Sequence, residues 1–371
     1  MPALEGAKMR RAYVTYLGIL IWLTCASAGA QSLTAPGAWE VEFHGGGFSS
    51  SLPSSGTTAL PAAAPSGTPT TSRQVPSWYF ADGSVQLNQF LALQSRGTVT
   101  ALTPLDTMLQ GRVLDRQTDA TFGARVAWRF ARRFSAELTV DSLRGELALT
   151  PDTTAALEAA SASFITAFNA LFSTPLIASR TVNSTPTITE RGGSQIATTG
   201  ALLFDVLPGA RIAPYVTAGA GGVSTSGTTQ SATVTGSYQF SLNIPPQLPI
   251  PPQTFAQTDT VTVRSSIDSG MLWMLGGGAR YMLSNRWGVR VDVRDYIRSS
   301  TITTLLDAAP TTPPSSFGTL TFLAPTAPAL VFSGLPQIPS TLSTALDDFE
   351  TFSASGTEHQ VSMTAGVVLK F

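Results

Sequence analysis

Residues 359–371 of this 371-residue chain alternate in character without a break. One parity reads Val361, Met363, Ala365, Val367, Leu369 and Phe371, all apolar. The other reads Gln360, Ser362, Thr364, Gly366, Val368 and Lys370, mostly small or polar. A side-chain period of two puts successive residues on opposite faces of a strand, and here the two faces suit different solvents. What the whole chain can fold into then depends on whether its other segments obey the same rule.

Seven earlier segments do. In residues 39–47, Trp39, Val41 and Phe43 oppose Glu40, Glu42 and His44. In 121–130, Phe122, Ala124, Val126, Trp128 and Phe130 oppose Gly123, Arg125, Ala127 and Arg129. In 134–143, Phe134, Ala136, Leu138 and Val140 oppose Ser135, Glu137, Thr139 and Asp141. Residues 198–207 are the least regular, with Leu202, Phe204 and Val206 against Leu203 and Asp205. Residues 213–222 set Pro214, Val216, Ala218 and Ala220 against Tyr215, Thr217, Gly219 and Gly221. Residues 270–283 set Met271, Trp273, Leu275 and Tyr281 against Gly276, Gly278 and Arg280. In 287–297, Val289, Val291 and Val293 oppose Arg290, Asp292 and Arg294. A tilted strand crosses a bilayer in about nine to eleven residues, a length that each segment reaches.

The connections alternate too. Residues 131–133, 207–212 and 284–286 are tight turns rich in turn-forming residues, whereas 48–118, 145–196, 224–265 and 299–356 are long. Short and long connections in alternation predict an all-β protein: a closed, eight-stranded, antiparallel up-and-down barrel, with turns at one end and four long loops at the other.

Composition agrees with an exported membrane barrel. Arg10 and Arg11 precede an apolar stretch at 12–24 and a small-residue site at Ala28 and Ala30, the plan of a cleaved secretory leader over residues 1–30. The barrel then occupies 31–371, and the sole cysteine, Cys25, leaves with the leader. Thr24 and Trp22 do not fit lipoprotein processing at Cys25. Beyond residue 30 no run of apolar residues is long enough for a membrane-spanning helix. A formal net charge of −1 gives no reason to expect nucleic-acid binding.

Three stretches carry a resemblance: the terminal strand closing on Phe371, the run Pro214-Tyr215-Val216-Thr217-Ala218-Gly219-Ala220-Gly221, and the hairpin from Gly276 to Tyr296. They resemble the small OmpA/OmpX-type bacterial outer-membrane barrels. The resemblance implies a Gram-negative outer-membrane location, with both termini periplasmic and the long loops extracellular. It also implies a lipid bilayer around the wall, and Phe371 as a signal to the outer-membrane assembly machinery. Roles in that group include envelope stability, adhesion, small-molecule passage and, rarely, lipid hydrolysis, and the fold does not choose among them.

The inward faces gather six acids, Glu40, Glu42, Glu137, Asp141, Asp205 and Asp292, and six bases, Arg125, Arg129, Arg280, Arg290, Arg294 and Lys370. An eight-stranded barrel has an interior that side chains just fill, so these charges are expected to pair as an ion-pair network that plugs the lumen. The alternative is the lining of a narrow passive channel for small or amphiphilic molecules. Outward Trp39, Phe134, Tyr281 and Trp287 near the turns, and Trp273 near the loops, are expected to form aromatic girdles at the membrane interfaces.

His44 and His359 invite a third function, a lipid hydrolase, but parity puts them on opposite faces of the wall. No nucleophile elbow, phosphate loop or metal-spaced Cys/His set occurs, so neither enzyme activity nor a cofactor is expected. In the second loop, Leu157, Phe164, Ile165, Phe168, Leu171 and Phe172 mark a short amphipathic helix capped by Asp152. Val85, Leu87, Phe90 and Leu91 suggest another in the first loop. The aromatic residues Trp78, Tyr79 and Phe80, with the phenylalanines of the second loop, are expected to pack on one another over the barrel mouth, the alternative being a surface for an extracellular partner. The chain therefore reads as a non-enzymatic barrel with exposed loops, serving envelope structure or surface interaction.

Overall fold

The computed structural model describes residues 36–61, 76–94, 101–116, 119–143, 147–173, 175, 177–189, 194–226, 230–243, 254–310 and 345–371. The expected leader with Cys25 lies outside these residues, as does the side chain of Phe90. In chain order the elements are β1 (Trp39–Ser51), β2 (Thr57–Thr58), α1 (Ala81–Gln94), α2 (Asp106–Leu109), β3 (Leu114–Arg116), β4 (Asp119–Arg129), β5 (Phe134–Leu143), β6 (Leu147–Leu149) and α3 (Pro151–Leu171). There follow β7 (Ile177–Ile188), β8 (Ser194–Asp205), β9 (Ile212–Ser226), β10 (Ser231–Leu242), β11 (Thr254–Ile267), β12 (Gly270–Met282), β13 (Trp287–Ala308) and β14 (Leu346–Lys370).

Strands β1, β4, β5, β8, β9, β12, β13 and β14 pair in that order, and β14 pairs back onto β1, closing an eight-stranded antiparallel barrel. Closure joins Glu40 to Lys370 and His44 to Gly366 in register. Closure also removes the exposed edges that an open sheet would leave, which is the condition for a sheet to stand in lipid. Alternation is close to strict: along β8 and the lower half of β13, buried and exposed residues follow each other one by one. The exposed face is the apolar one, with Met271 at 76%, Trp273 at 65% and Met363 at 62% exposure. A continuous belt of this kind suits hydrocarbon and would be a liability in water.

The long connections are not loops throughout. Residues 299–308 and 346–356, expected as loop, are strand, because β13 and β14 run on as a ladder beyond the belt. Likewise 48–51, 194–196 and 224–226 belong to β1, β8 and β9. Above the belt the outward positions of β13 include Ser299, Thr301, Thr303 and Asp307, and the apolar parity of the lower strand fades. Strands β11, β10 and β7 then add sideways onto the top of β13, and β2 adds onto β14.

This raised sheet and the helices form a cap with its own core. Trp78, Tyr79, Phe80, Leu87, Leu91, Leu157, Phe164, Phe168 and Phe172 are all buried there, with Val234, Phe240, Val261, Ile302 and Leu306 from the sheet. Helix α3 carries the expected apolar stripe over 21 residues, and it lies against β7 and β10. Its N-cap is Thr150 rather than Asp152: the Thr150 hydroxyl accepts from the Thr153 N–H, and Pro151 takes the first helical position, where no N–H is needed. The pair β3–β6 stands apart from the main sheet and continues the β4–β5 hairpin.

Candidate functional site: the charged lumen

All twelve charged residues assigned to the inward faces are buried inside the barrel. Strand parity aims them at one another, and a bore of eight strands is just wide enough for their side chains to fill it. The centre is held by three arginines. Arg125 donates to Glu42 at 3.0 Å and to Asp292 at 2.5 Å. Arg290 donates to Glu137 at 2.7 Å and to Glu42 at 3.1 Å. Arg294 reaches the other oxygen of Glu137 at 2.6 Å. Every carboxylate here meets at least two cationic or hydroxyl donors, the arrangement that offsets the cost of dehydrating buried charge.

Toward the turns lies a second tier. Arg280 donates to Glu40 at 2.6 Å and also bonds Asp205, which takes a further bond from Arg129 at 2.6 Å. Lys370 lies opposite Glu40 in the β1–β14 ladder and is buried beside this tier. Toward the loops, Asp141 bridges His44 Nε2 and the Tyr296 hydroxyl, each at 2.6 Å.

Above the charges the bore turns apolar. Phe48, Leu143, Ala197, Val223, Leu272 and Met274 fill it with Tyr296. Above that layer, Glu358 is clamped by Arg298 at 2.7 Å and by Arg116 at 2.9 Å, the latter carried on β3. The lumen is thus a stack of paired charges, an apolar layer and an ion-pair clamp.

Glycine makes room for this stack at specific points. A Cβ on Gly123 would collide with Asp141 and His44, and one on Gly366 would lie 2.5 Å from Glu42 Oε1. Both are inward positions where a side chain would displace a charge partner.

Several members of the network carry no charge or lie beyond the expected strands. The Tyr215 hydroxyl accepts from Arg290 Nε at 2.6 Å and donates to Asp292 at 2.9 Å, with the Arg290 guanidinium 4.5 Å from its ring centroid. Thr364 donates to Asp292 and Thr139 to Glu137. Strand parity alone could have found Tyr215, Thr139 and Thr364. Arg298 and Glu358 follow from parity once β13 and β14 are extended. Arg116 has no such signal, since its two-stranded ladder is set by contacts distant in sequence.

On the outer wall, Trp39, Phe134, Trp273 and Trp287 are exposed and Tyr281 is partly buried. The turn-end girdle is wider than those residues: Trp39, Trp128, Phe130, Phe134 and Phe204 form an unbroken chain of ring contacts with centroids 5.3–6.3 Å apart. Phe371 is tied by its main chain to Trp39, donating to the Trp39 carbonyl at 2.9 Å. His359 lies on the outer face against Asp295 at 2.9 Å, while His44 is inside. The two histidines do not share a site. Among the described residues no group of three His, Cys, Asp or Glu side chains is placed to hold a metal ion.

No protein-family model matches the chain, and no curated protein does. Solved structures do. Outer membrane protein AlkL, determined in lipid bilayers, is 10% identical over 94% of each chain, with a TM-score of 0.38. Outer membrane protein OprG from Pseudomonas aeruginosa is 11% identical over 91% of this chain and 99% of that one, also at 0.38. The outer membrane protease OmpT from Escherichia coli is 7% identical over 92% of this chain and all of that one, at 0.24. The fold assignment stands on the closed strand order itself: this chain is an eight-stranded antiparallel β-barrel.

Proposed function

We propose that this protein is a non-enzymatic outer-membrane barrel whose lumen is closed by an ion-pair core and whose cap faces the cell exterior, serving envelope structure or surface interaction. The observation that carries this reading is the filled bore. A solute would have to part Arg290 from Glu137, then cross the apolar layer, then break the Arg116–Glu358–Arg298 clamp. Each step leaves buried charge or opens packed side chains, which is costly. The lipid-facing belt supports a membrane setting, and the tight turns suit the periplasmic end. The narrow-channel alternative requires a path through the same contacts.

Cell fractionation together with a permeation assay tests the proposal. The chain, processed near Gln31, is expected in the outer membrane, with protease reaching the cap in intact cells. Liposomes carrying the refolded protein are expected to retain small sugars. Recovery as a soluble periplasmic protein would overturn the membrane reading, and rapid sugar efflux would overturn the closed lumen.

A further inference from the structure

The turn end of the barrel holds a cavity of about 300 Å³ that the plug does not fill. Its wall includes four cationic side chains, Arg129, Arg211, Arg280 and Lys370, and two carboxylates, Glu40 and Asp205. The carboxylates are engaged with Arg129 and Arg280, and Lys370 lies opposite Glu40 in the β1–β14 ladder. The vestibule therefore carries two more positive charges than negative ones, whereas the central tier of Arg125, Arg290 and Arg294 against Glu42, Glu137 and Asp292 is balanced.

A second observation points the same way. The three tight turns that surround the opening contain Arg132, Arg133, Arg211 and Arg286 and no acidic residue. All four are exposed. At the cap end the described strands and turns are instead rich in carboxylates, with Asp295, Asp307, Asp347, Asp348 and Glu350. A cleft lined by one sign of charge with low-dielectric walls concentrates the opposite ion. Guanidinium groups present paired donors that match the oxygens of carboxylate and phosphate.

We propose that this vestibule is a binding site for a small, doubly charged oxyanion of the phosphate or dicarboxylate class. The ligand enters and leaves by the turn end, because the ion-pair core blocks the bore above it. Arg211 gathers the anion at the rim, and the net positive charge of the wall as a whole balances it within. The inference concerns the turn end of the barrel whichever side of the membrane that end occupies.

Calorimetric titration of the purified protein in a non-ionic detergent, at fixed ionic strength, tests it. Inorganic phosphate and succinate are each expected to bind with one equivalent, and acetate is expected to bind far more weakly. Arg211→Gln, which changes an exposed side chain outside the ion-pair core, is expected to weaken binding about fivefold. Arg180→Gln, the same change of charge on the cap, is expected to leave binding unaltered. The proposal falls if phosphate gives no more heat than chloride, or if acetate binds as tightly as succinate. It falls equally if the Arg180 and Arg211 variants behave alike.

Discussion

Inside the barrel wall, Arg290 meets Glu137 at 2.7 Å; inside the cap, the rings of Phe168 and Tyr238 stack with centroids 4.7 Å apart. One chain builds both interiors with opposite chemistry. The barrel turns its apolar residues outward, as suits a wall in lipid, and leaves the enclosed space to charge. The cap turns Phe164, Phe168, Phe172 and Trp78 inward, as suits a unit in water. Strands β13 and β14 belong to both regions, and β13 keeps one parity throughout: Arg290, Asp292 and Arg294 face the lumen, while Ile302 and Leu306 on the same face enter the cap core. What changes along the strand is its other face, which passes from Val289, Val291 and Val293 to Ser299, Thr301 and Thr303.

The difference can be broken from either end. The largest expected effect is in the lumen, where Asp292→Ala would take a charge partner from Arg125 and Arg294 and the acceptor from the Tyr215 hydroxyl. We expect a loss of about 3–5 kcal/mol in unfolding free energy measured in detergent. Val291→Ala, on the lipid-facing side, is expected to cost much less; the reverse order would mean the parity of β13 is misassigned. In the cap, Leu157→Ala removes a buried aliphatic side chain from α3 and is expected to cost about 2–5 kcal/mol, read as faster proteolysis of the cap while the barrel stays intact.

The cap also holds a buried acid. Asp259 accepts from the Ser77 hydroxyl at 2.9 Å and from the Trp78 N–H at 2.8 Å, and its other oxygen has no hydrogen-bond partner. Burial pushes its carboxyl up to about 7, only partly offset by those two donors. The folded cap therefore holds a proton that the unfolded chain has released, and its stability falls as pH rises from about 4 through about 7. Between pH 5 and pH 8 the cap is expected to lose roughly 2–3 kcal/mol, followed by protease resistance, and Asp259→Asn is expected to flatten that dependence. Smaller still, Thr150→Ala removes the α3 cap and should cost about 1 kcal/mol by the same assay.

Much of the barrel was legible because apolar residues dominate the outward positions, as a wall in lipid requires, so period-two alternation survives along most of each crossing strand. The lumen charges followed from the same parity, residue by residue. The cap was harder to see. Residues 299–308 are strand, yet Ser299, Thr301 and Thr303 face water and carry no apolar stripe. The added strands β7, β10 and β11 owe their places to pairing across long stretches of sequence, which local pattern does not record. The aromatic residues Trp78 to Phe80 announced a packed site, and what they pack against is visible only once α3 and β10 are brought over them.

The claim at the centre of this account is that the lumen is a closed ionic core. Single-channel recording of the refolded protein in planar bilayers tests it most directly, with Asp292→Ala recorded beside the wild type. The account predicts a wild type with conductance near zero and a variant whose loosened core admits measurable ion flux. A steady conductance through the wild type, with Asp292→Ala shifting selectivity toward anions at little loss of stability, would contradict it.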